Sequence, residues 1–426
     1  MTYVPIASVA EVNPPVAPEV ASSPSRTVSF LPMASVGEDG KLHGPMERVA
    51  GAVLKGYTPF ARGDILVAKI TPCFENGKVA YLNSLPHEFG FGSTEFHVLR
   101  PRPAIDPVYL LNFLRGDAFR HVGALAMTGS AGQKRVPSDI FTRVRIPLPP
   151  LPLQHQAARR LDEVDTLRRA SVKARGLLEA LVQSAFHSLV AEGNPDYRHW
   201  HLRRLETLAD GKDGSMRTGP FGSALRHSEF VSEGIAVLGI DNAVRNRFVW
   251  DERRFITAEK HVGLERYTVR PGDVMITIMG TTGRSAVVPD DIPPSITTKH
   301  IATITVDRRQ VHPDYLSNAI HRDSGVLRKL RSRNRGSIME GLNLGLIREL
   351  EIRVPPLALQ ERFAAVLEQV RKLESLNDVA QRAADALAHS IQHEVFACSP
   401  GAGDTEAATN GHDLSVSPRT ARRRGE

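Results

Sequence analysis

The pattern of apolar and polar positions along the chain changes its period in a regular way. Short aliphatic and β-branched runs at residues 65–70 and 274–278 follow Gly-Asp pairs and predict buried strands. Pro107–Arg115 and Pro313–Arg322 begin with proline, which favours the first turn of a short helix. The pattern therefore predicts a mixed α+β structure.

Two long helical patterns each follow an alternating strand and a Pro-Pro pair. Residues 144–148 and 350–354 predict the strands, and beyond them apolar residues recur every three or four positions. Each helix would have roughly 35 residues and measure ~50 Å. Both seams carry one polar residue in the same heptad slot, Ser171 or Asn377, which favours pairing of the helices with each other over packing on their own modules alone. The predicted pairing residues are Val164, Leu167, Ser171, Leu178, Leu181, Val370, Leu373, Asn377, Leu387 and Ile391.

These features recur because the whole chain is duplicated. The string VRIPLPPLPLQ at residues 144–154 returns as LEIRVPPLALQ at residues 350–360, 206 residues later. Residues 76–80 and 107–110 recur at the same interval. A repeat of this length is a duplicated domain and not a solenoid unit. Two similar modules in one chain can present two recognition surfaces related by pseudo-twofold symmetry.

Composition narrows the class of protein. The 426 residues are enough for about three domains, which two modules and a helical connector would supply. The net charge of +7 favours an anionic partner, most commonly nucleic acid. Cys73 and Cys398 lie far apart and offer no disulfide framework, which fits a reducing cytoplasm. The start of the chain does not resemble a secretory signal, and no run approaches the ~18 apolar residues of a membrane span, so we expect a cytoplasmic protein.

The motifs of common catalytic sites are missing from the sequence. The phosphate-binding pattern GxxxxGK[ST] and the metal-binding pattern HExxH do not occur. Asn13-Pro14-Pro15 is followed by Val16, where an adenine methyltransferase motif needs an aromatic ring to stack on a flipped base. We therefore predict neither catalytic residues nor a metal site in this chain.

With two α+β modules, each followed by PPLxxQ and a long helix, the sequence resembles the specificity subunit of type I restriction–modification enzymes as far as about residue 397. The string RTGPFGSAL at residues 217–225 is a second feature typical of that family. The resemblance implies an α+β fold in which two pseudo-symmetric α/β target recognition domains are joined and separated by two long, antiparallel packed helices. The domains would be residues 1–150 and 194–356, with spacer helices at 151–193 and 357–397; residues 398–426 predict a disordered tail.

The same resemblance implies a non-catalytic subunit that recognises a bipartite, asymmetric site in double-stranded DNA. Two methyltransferase subunits and the restriction and translocase subunits are the implied partners, and S-adenosylmethionine, ATP and Mg are expected in those partners, with no cofactor in this chain. Two alternatives stay open from the residues alone. One is a stand-alone DNA methyltransferase or nuclease with an unrecognised site, and the other is a scaffold that does not bind DNA.

Basic and amide side chains provide the candidates for DNA contact, because Lys and Arg bind phosphates and Arg, Lys, Asn and Gln can read base edges. The densest basic segment, residues 328–335, has five cations in eight residues beside a glycine and predicts a flexible loop over the phosphate backbone. Its counterpart in the first module is residues 128–135. The modules differ at most candidate positions, so we expect two unlike half-sites. The candidates are Lys69, Lys78, Gln133, Lys134, Arg135, Arg217, Ser223, Arg226, Arg245, Asn246, Arg247, Arg284, Thr297, Thr298, Lys299, Arg328, Lys329, Arg331, Arg333 and Arg335.

Overall fold

A computed structural model describes residues 2–130, 132–250, 252–334 and 342–396, with residues 331–334 described by their backbone alone. The chain folds into two units, Met1–Arg168 with Arg382–Glu426, and Arg169–Gln381. The candidate Arg335 and the predicted tail at residues 398–426 lie outside the described residues.

Both units mix short strands with helices. In chain order the strands are β1 Tyr3–Pro5, β2 Ala10–Val12, β3 Thr27–Leu31, β4 Met46–Val49, β5 Thr58–Ala61, β6 Ile65–Ala68, β7 Val79–Tyr81, β8 Phe89–Gly92, β9 Phe96–Pro101, β10 Arg145–Pro147, β11 Leu202–Arg204, β12 Met216–Thr218, β13 Ile235–Leu238, β14 Phe255–Ile256, β15 Val274–Thr277, β16 Ser285–Val287, β17 Ser295–Thr297, β18 Ile301–Ile304 and β19 Glu351–Arg353. The α-helices are α1 Ile6–Val9, α2 Pro18–Ala21, α3 Pro107–Arg115, α4 Asp117–Ala126, α5 Ile140–Arg143, α6 Leu151–Val190, α7 Ala258–Val262, α8 Pro313–Arg322, α9 Ser324–Asn334, α10 Leu344–Arg348 and α11 Leu357–Phe396.

The sheets of the second unit repeat those of the first. The first unit has sheets of order β2-β9-β6-β7 and β4-β3-β8-β5 and the pair β1-β10. The second has β12-β18-β15-β16, β14-β13-β17 and the pair β11-β19. In both units one strand pair is parallel, β3 with β8 and β13 with β17, and the pairs around it are antiparallel. The duplication read from the sequence thus extends to topology, and the α+β fold with two pseudo-symmetric modules is confirmed.

The local patterns explain why these elements form. Strands β6 and β15 are buried on both faces, as their continuous apolar runs predicted. Helices α3 and α8 have the bounds predicted from their initial prolines. Asp106 caps α3 by accepting a hydrogen bond from the backbone N–H of Tyr109, which satisfies one of the free donors of the first turn.

The repeated glutamine fixes the start of each long helix. Gln154 and Gln360 are fully buried. Gln154 Oε1 accepts from the backbone N–H of Asp106 at 2.8 Å, and its Nε2 donates to the carbonyls of Pro149 and Ala104 at 2.8 and 3.1 Å. Gln360 makes the same three bonds in the second unit. A buried amide must satisfy its donors and acceptor, so this side chain ties the helix to both the preceding strand and the neighbouring short helix.

The Gly-Asp pairs before β6 and β15 also have one structural role. Asp64 and Asp273 are buried, and each bonds a backbone N–H three residues before it. Asp64 forms a bidentate ion pair with Arg100, at 2.8 and 2.9 Å.

In the second unit a different strand supplies the arginine. Arg217 on β12 bonds Asp273 at 2.6 Å, and the Arg217 side chain is only 10% exposed. The prediction that Arg217 contacts DNA is therefore wrong, because its guanidinium neutralises a buried carboxylate.

The two long helices pack against each other in antiparallel order. Within the first unit Arg160 pairs with Glu394 and Arg168 with Asp385, at 3.0 and 2.8 Å. Within the second unit, Ser171 Oγ donates to Asn377 Oδ1 at 2.9 Å, and Asn377 Nδ2 donates to the Ser171 carbonyl at 3.1 Å. The two polar residues that share a heptad slot are therefore partners.

The apolar seam of the helix pair differs from the predicted one. Val164 and Ile391 are buried in it together with Leu161, Ala384 and Ala388. In the second unit Val370 is buried and Leu178 packs against the same core. Four predicted seam residues are instead exposed, because a pair of helices covers only a narrow face of each: Leu167, Leu181, Leu373 and Leu387 are 46–57% exposed.

Candidate nucleic-acid interface

The candidates of the first unit gather around the turn between β6 and β7, residues 69–78. The backbone N–H of Thr71 bonds the carbonyl of Lys134 at 3.0 Å, and the N–H of Val136 bonds the carbonyl of Lys69 at 2.8 Å. The basic segment at 128–135 therefore lies beside this turn, although it is more than 50 residues distant in sequence. Gln133 and Lys134 are exposed there, and Lys69 and Lys78 are half-buried.

Arg135 is anchored in this cluster. Its guanidinium pairs with both carboxylate oxygens of Glu95 at 2.8 and 2.9 Å. The hydrogen bonds from Arg135 lower the pKa of Glu95, and Lys69 adds a smaller effect in the same direction. Arg135 thus neutralises an acidic side chain at this surface, which leaves the charges of Lys69 and Lys134 less opposed.

The corresponding turn of the second unit, residues 278–284, also has candidates around it. The backbone N–H of Ile278 bonds the carbonyl of His300 at 2.9 Å, which places the exposed Lys299 near the beginning of the turn. Arg284 is exposed at its end. Strand β15 and this turn correspond to β6 and its turn in the first unit, so both units present basic side chains at the same place in the fold.

The glycine-rich string 217–225 packs against the segment that holds Lys299. A Cβ on Gly219 would lie 2.1 Å from the carbonyl oxygen of Thr297, so only glycine fits there. Ser223 is exposed, and Phe221 is 58% exposed in the same string. Thr297 itself is fully buried in β17, so the prediction that it contacts DNA is wrong.

The polar turn 245–247 is linked to Arg284 through the backbone. Asn246 has a left-handed backbone with φ 56°, and its Oδ1 accepts from the N–H of Ser285 at 3.3 Å. Arg245 and Arg247 are exposed, and Arg247 pairs with Glu374 of α11 at 3.3 Å. This contact faces a helix of the same unit.

The basic segment after residue 323 is a helix over most of its length, and not the predicted flexible loop. It forms α9, because Val326 and Leu330 lie one turn apart and are both buried in the core of the unit. Arg328 is exposed, and Lys329 pairs with Glu351 at 2.6 Å. Arg331 and Arg333 lie in the last turn of α9, whose backbone alone is described.

Of the remaining candidates, Arg226 is exposed and Thr298 is half-buried. The structure therefore brings Lys69, Lys78, Gln133, Lys134 and Arg135 together in one unit, and Arg245, Asn246, Arg247, Arg284, Thr298 and Lys299 around the equivalent turn of the other. Arg328 and Lys329 line a separate cavity with Glu351 and Tyr197.

Sequence reasoning missed a polar network at the same turn of the second unit. Ser285 and Ser317 are buried, and they bond each other close to His321. No local motif marks these residues, because they come from a strand and a helix more than 30 residues apart. Glu95 was missed for the same reason, since it lies 40 residues from Arg135.

Neither a metal site nor a membrane span occurs among the described residues. No group of three or more His, Cys, Asp or Glu side chains within the described ranges could hold a metal ion. Across the same ranges, the helices lack the combination of length and apolar character that a bilayer span requires.

Comparisons with known proteins agree with this architecture. Residues 51–175 match the family described as the type I restriction modification DNA specificity domain. The chain is 38% identical over 193 residues to the type I restriction enzyme EcoAI specificity subunit of Escherichia coli, covering 44% of this chain and 32% of that protein. It is 33% identical over 215 residues to the EcoEI specificity subunit of the same organism, covering 49% and 36%. The chain thus spans about a third of the length of these relatives.

A solved structure extends the likeness of fold to most of the chain. The type I restriction–modification S subunit from M. genitalium superposes with a TM-score of 0.58 at 14% identity, covering 93% of this chain and 96% of that one. The fold and the matched residues define a DNA specificity domain of the type I restriction–modification class. Residues 51–175 belong to that family, and the chain is a relative of type I restriction enzyme specificity subunits, which confirms the resemblance read from the sequence.

Proposed function

We propose that this chain is the DNA-recognition subunit of a type I restriction–modification complex and that each unit binds one half of a bipartite site in double-stranded DNA. One observation carries the proposal. The two units share the same sheet topology, and each gathers exposed basic side chains at the same turn, between β6 and β7 or between β15 and β16. Similarity to specificity subunits supports the assignment of DNA as the ligand.

The two half-sites are unlike. The first turn is surrounded by Lys69, Lys78 and Lys134, whereas the second has Arg284 and Lys299. Arginine can bond two acceptors on one guanine edge, whereas lysine acts as a compact charge without that planar geometry. Different side chains at equivalent positions therefore favour different base sequences at the two halves.

The partner subunits bind along the paired helices and carry the chemistry. Several large apolar side chains on α6 and α11 are exposed, which is unusual for a surface without a partner: Leu167, Val172, Leu177, Leu181, Leu373, Leu376, Val379 and Leu387 are 46–70% exposed. Two methyltransferase subunits would cover this surface and would bring S-adenosylmethionine to the DNA. ATP and Mg belong to the restriction and translocase subunits, and this chain itself is non-catalytic.

The helix pair sets the gap between the half-sites. Helices α6 and α11 each have 40 residues, and each contributes segments to both units. A helix advances ~1.5 Å per residue, so one helical turn changes a separation along its axis by ~5 Å. The spacing of the two DNA segments would follow the length of these helices, near one turn of the duplex (~34 Å) or slightly more.

Reconstitution tests this proposal against an enzyme and against a scaffold. The full chain is purified alone and together with its methyltransferase partner, and each preparation is incubated with DNA and radiolabelled methyl donor. We expect methyl transfer only with the partner present, and a footprint of two protected patches separated by accessible bases. Methyl transfer by the chain alone would identify an enzyme, and an active complex whose footprint lacks any defined sequence would identify a scaffold.

A further inference from the structure

The second unit contains a buried polar network that the proposed DNA-binding function does not explain. Ser285 is the first residue of β16, and Ser317 and His321 lie one turn apart on α8. Ser285 Oγ donates to the carbonyl of Ser317 at 2.6 Å, and Ser317 Oγ donates to Ser285 Oγ at 3.1 Å. His321 Nδ1 lies 3.1 Å from the same Ser285 Oγ.

These contacts fix the tautomer of His321. Ser285 has a single hydroxyl proton, and that proton must lie on the shortest contact, because a carbonyl oxygen at 2.6 Å cannot donate. Ser285 Oγ can therefore only accept from His321, so Nδ1 carries the ring proton. Burial, together with the positive charge of Arg322, lowers the pKa of His321 to about 3. The ring is neutral at pH 7, and its Nε2 is an acceptor with a free lone pair.

This acceptor faces open space. Nε2 of His321 is buried and has no hydrogen-bond partner among the residues that the structure describes. Its ring borders a cavity of about 280 Å³ beside the turn 281–284 and a second cavity of about 340 Å³ beside the turn 245–247. A buried polar atom without a partner costs on the order of 1–3 kcal/mol, which argues that something fills the position.

The first unit lacks this network and shows that the fold does not need it. At the positions equivalent to Ser285, Ser317 and His321 it has Val79, Leu111 and Arg115. Arg115 there forms an ion pair with Asp165 at 2.8 Å. The same strand–helix contact can therefore be built without a buried imidazole, so the acceptor is a particular property of the second unit.

The walls of the smaller cavity fit a nucleobase. Leu327, Leu330 and Leu342 form an apolar side, and the exposed Arg284 lies at the rim. A nucleobase has two apolar faces and a polar edge, and proteins that hold an unpaired base stack it on apolar side chains and bond its edge. On adenine and cytosine the exocyclic amine is the donor that an imidazole lone pair can accept. Arg284 is placed to bind an attached phosphate.

We propose that the cavity beside His321 binds a nucleobase bearing an exocyclic amine, adenine or cytosine, with the amine donating to Nε2 of His321. The proposal rests on the proposed function for the source of that base, which is the DNA held by this unit. Guanine and thymine offer an oxo group at the equivalent position of the edge, and an oxo group would set one acceptor against another.

Matched mononucleotides test the proposal without requiring knowledge of the DNA target. The full chain, labelled with ¹⁵N-histidine, is titrated with dAMP against dIMP and with dCMP against dUMP, pairs that differ only by amine and oxo groups. We expect the amino member of at least one pair to bind about tenfold more tightly, the value of one hydrogen bond, and to move the Nε2 resonance of His321. The His321→Phe variant assigns the resonance and should abolish the preference.

The remaining outcomes contradict the proposal. Equal affinity within both pairs, or no binding of any nucleotide, would mean that the cavity holds water only. A protonated Nε2 at pH 7 would refute the tautomer argument directly. If His321→Phe fails to fold, the amine and oxo pairs on the unaltered chain still decide. The two-patch footprint of the reconstituted complex does not depend on this cavity, so failure here is distinguishable from failure of the proposed function.

Discussion

Replacement of Gln360 by alanine tests the physical basis of the repeated motif. The side chain is fully buried and bonds three backbone groups: the N–H of His312 and the carbonyls of Pro355 and Gln310. Leaving one such buried group without a partner costs on the order of 1–3 kcal/mol. Allowing for partial relief by water, we expect Gln360→Ala to lower the free energy of unfolding of the second unit by about 3–5 kcal/mol.

Tryptophan fluorescence can follow this unit selectively. Trp200 and Trp250 are the two tryptophans of the chain, and both lie in the second unit. Urea unfolding of Gln360→Ala is compared with that of Gln369→Ala, a change at an exposed glutamine of the same helix that should alter stability by less than about 0.5 kcal/mol. If the two variants unfold at the same urea concentration, the reasoning that the buried glutamine joins helix, strand and short helix is refuted.

Buried and exposed charges lead to three further predictions. Arg217→Ala should destabilise the second unit by about 3–5 kcal/mol in urea because it strands a buried carboxylate, whereas Lys299→Ala should not; equal midpoints would contradict this. Since the folded-state pKa of His321 is depressed to about 3 from 6.5, stability is complete above pH 6.5 and falls as pH falls; unfolding at pH 5 should need about 2 kcal/mol less than at pH 7, and the dependence should persist unchanged in His321→Phe only if the assignment is wrong. Alanine at Lys134, Arg284 and Lys299 should weaken DNA binding by the reconstituted complex and reduce its salt slope by ~0.9 for each phosphate that is no longer neutralised, and an unchanged slope would remove these residues from the interface.

Local pattern and duplication together predicted most of the fold. The bounds of α3 and α8 followed from proline and apolar spacing, and the long helices followed from the change of period after each Pro-Pro pair. The partnership of Ser171 and Asn377 could be predicted because both occupy one slot of two sequences in the same phase. Duplication helps here because each copy is a second instance of the same local physics.

The candidate site was predictable only in part, because a charged side chain carries no local mark of its partner. Arg217 is as polar as Lys299 in sequence, yet the carboxylate that Arg217 neutralises lies 56 residues away. The basic run that suggested a loop is helical because two buried apolar residues outweigh the charges between them. Solvent exposure of the four misplaced leucines on the long helices depends on how narrow the helix contact is, which periodicity alone does not determine.

Sequencing of methylated adenines in cells that carry the complete system tests the central claim most directly. We expect the unaltered chain to specify two unlike half-sites with a fixed gap, and a chain shortened by one helical turn, ~4 residues, in both α6 and α11 to keep the same half-sites with a changed gap. A contiguous methylated motif, or altered bases with an unchanged gap, would contradict the account.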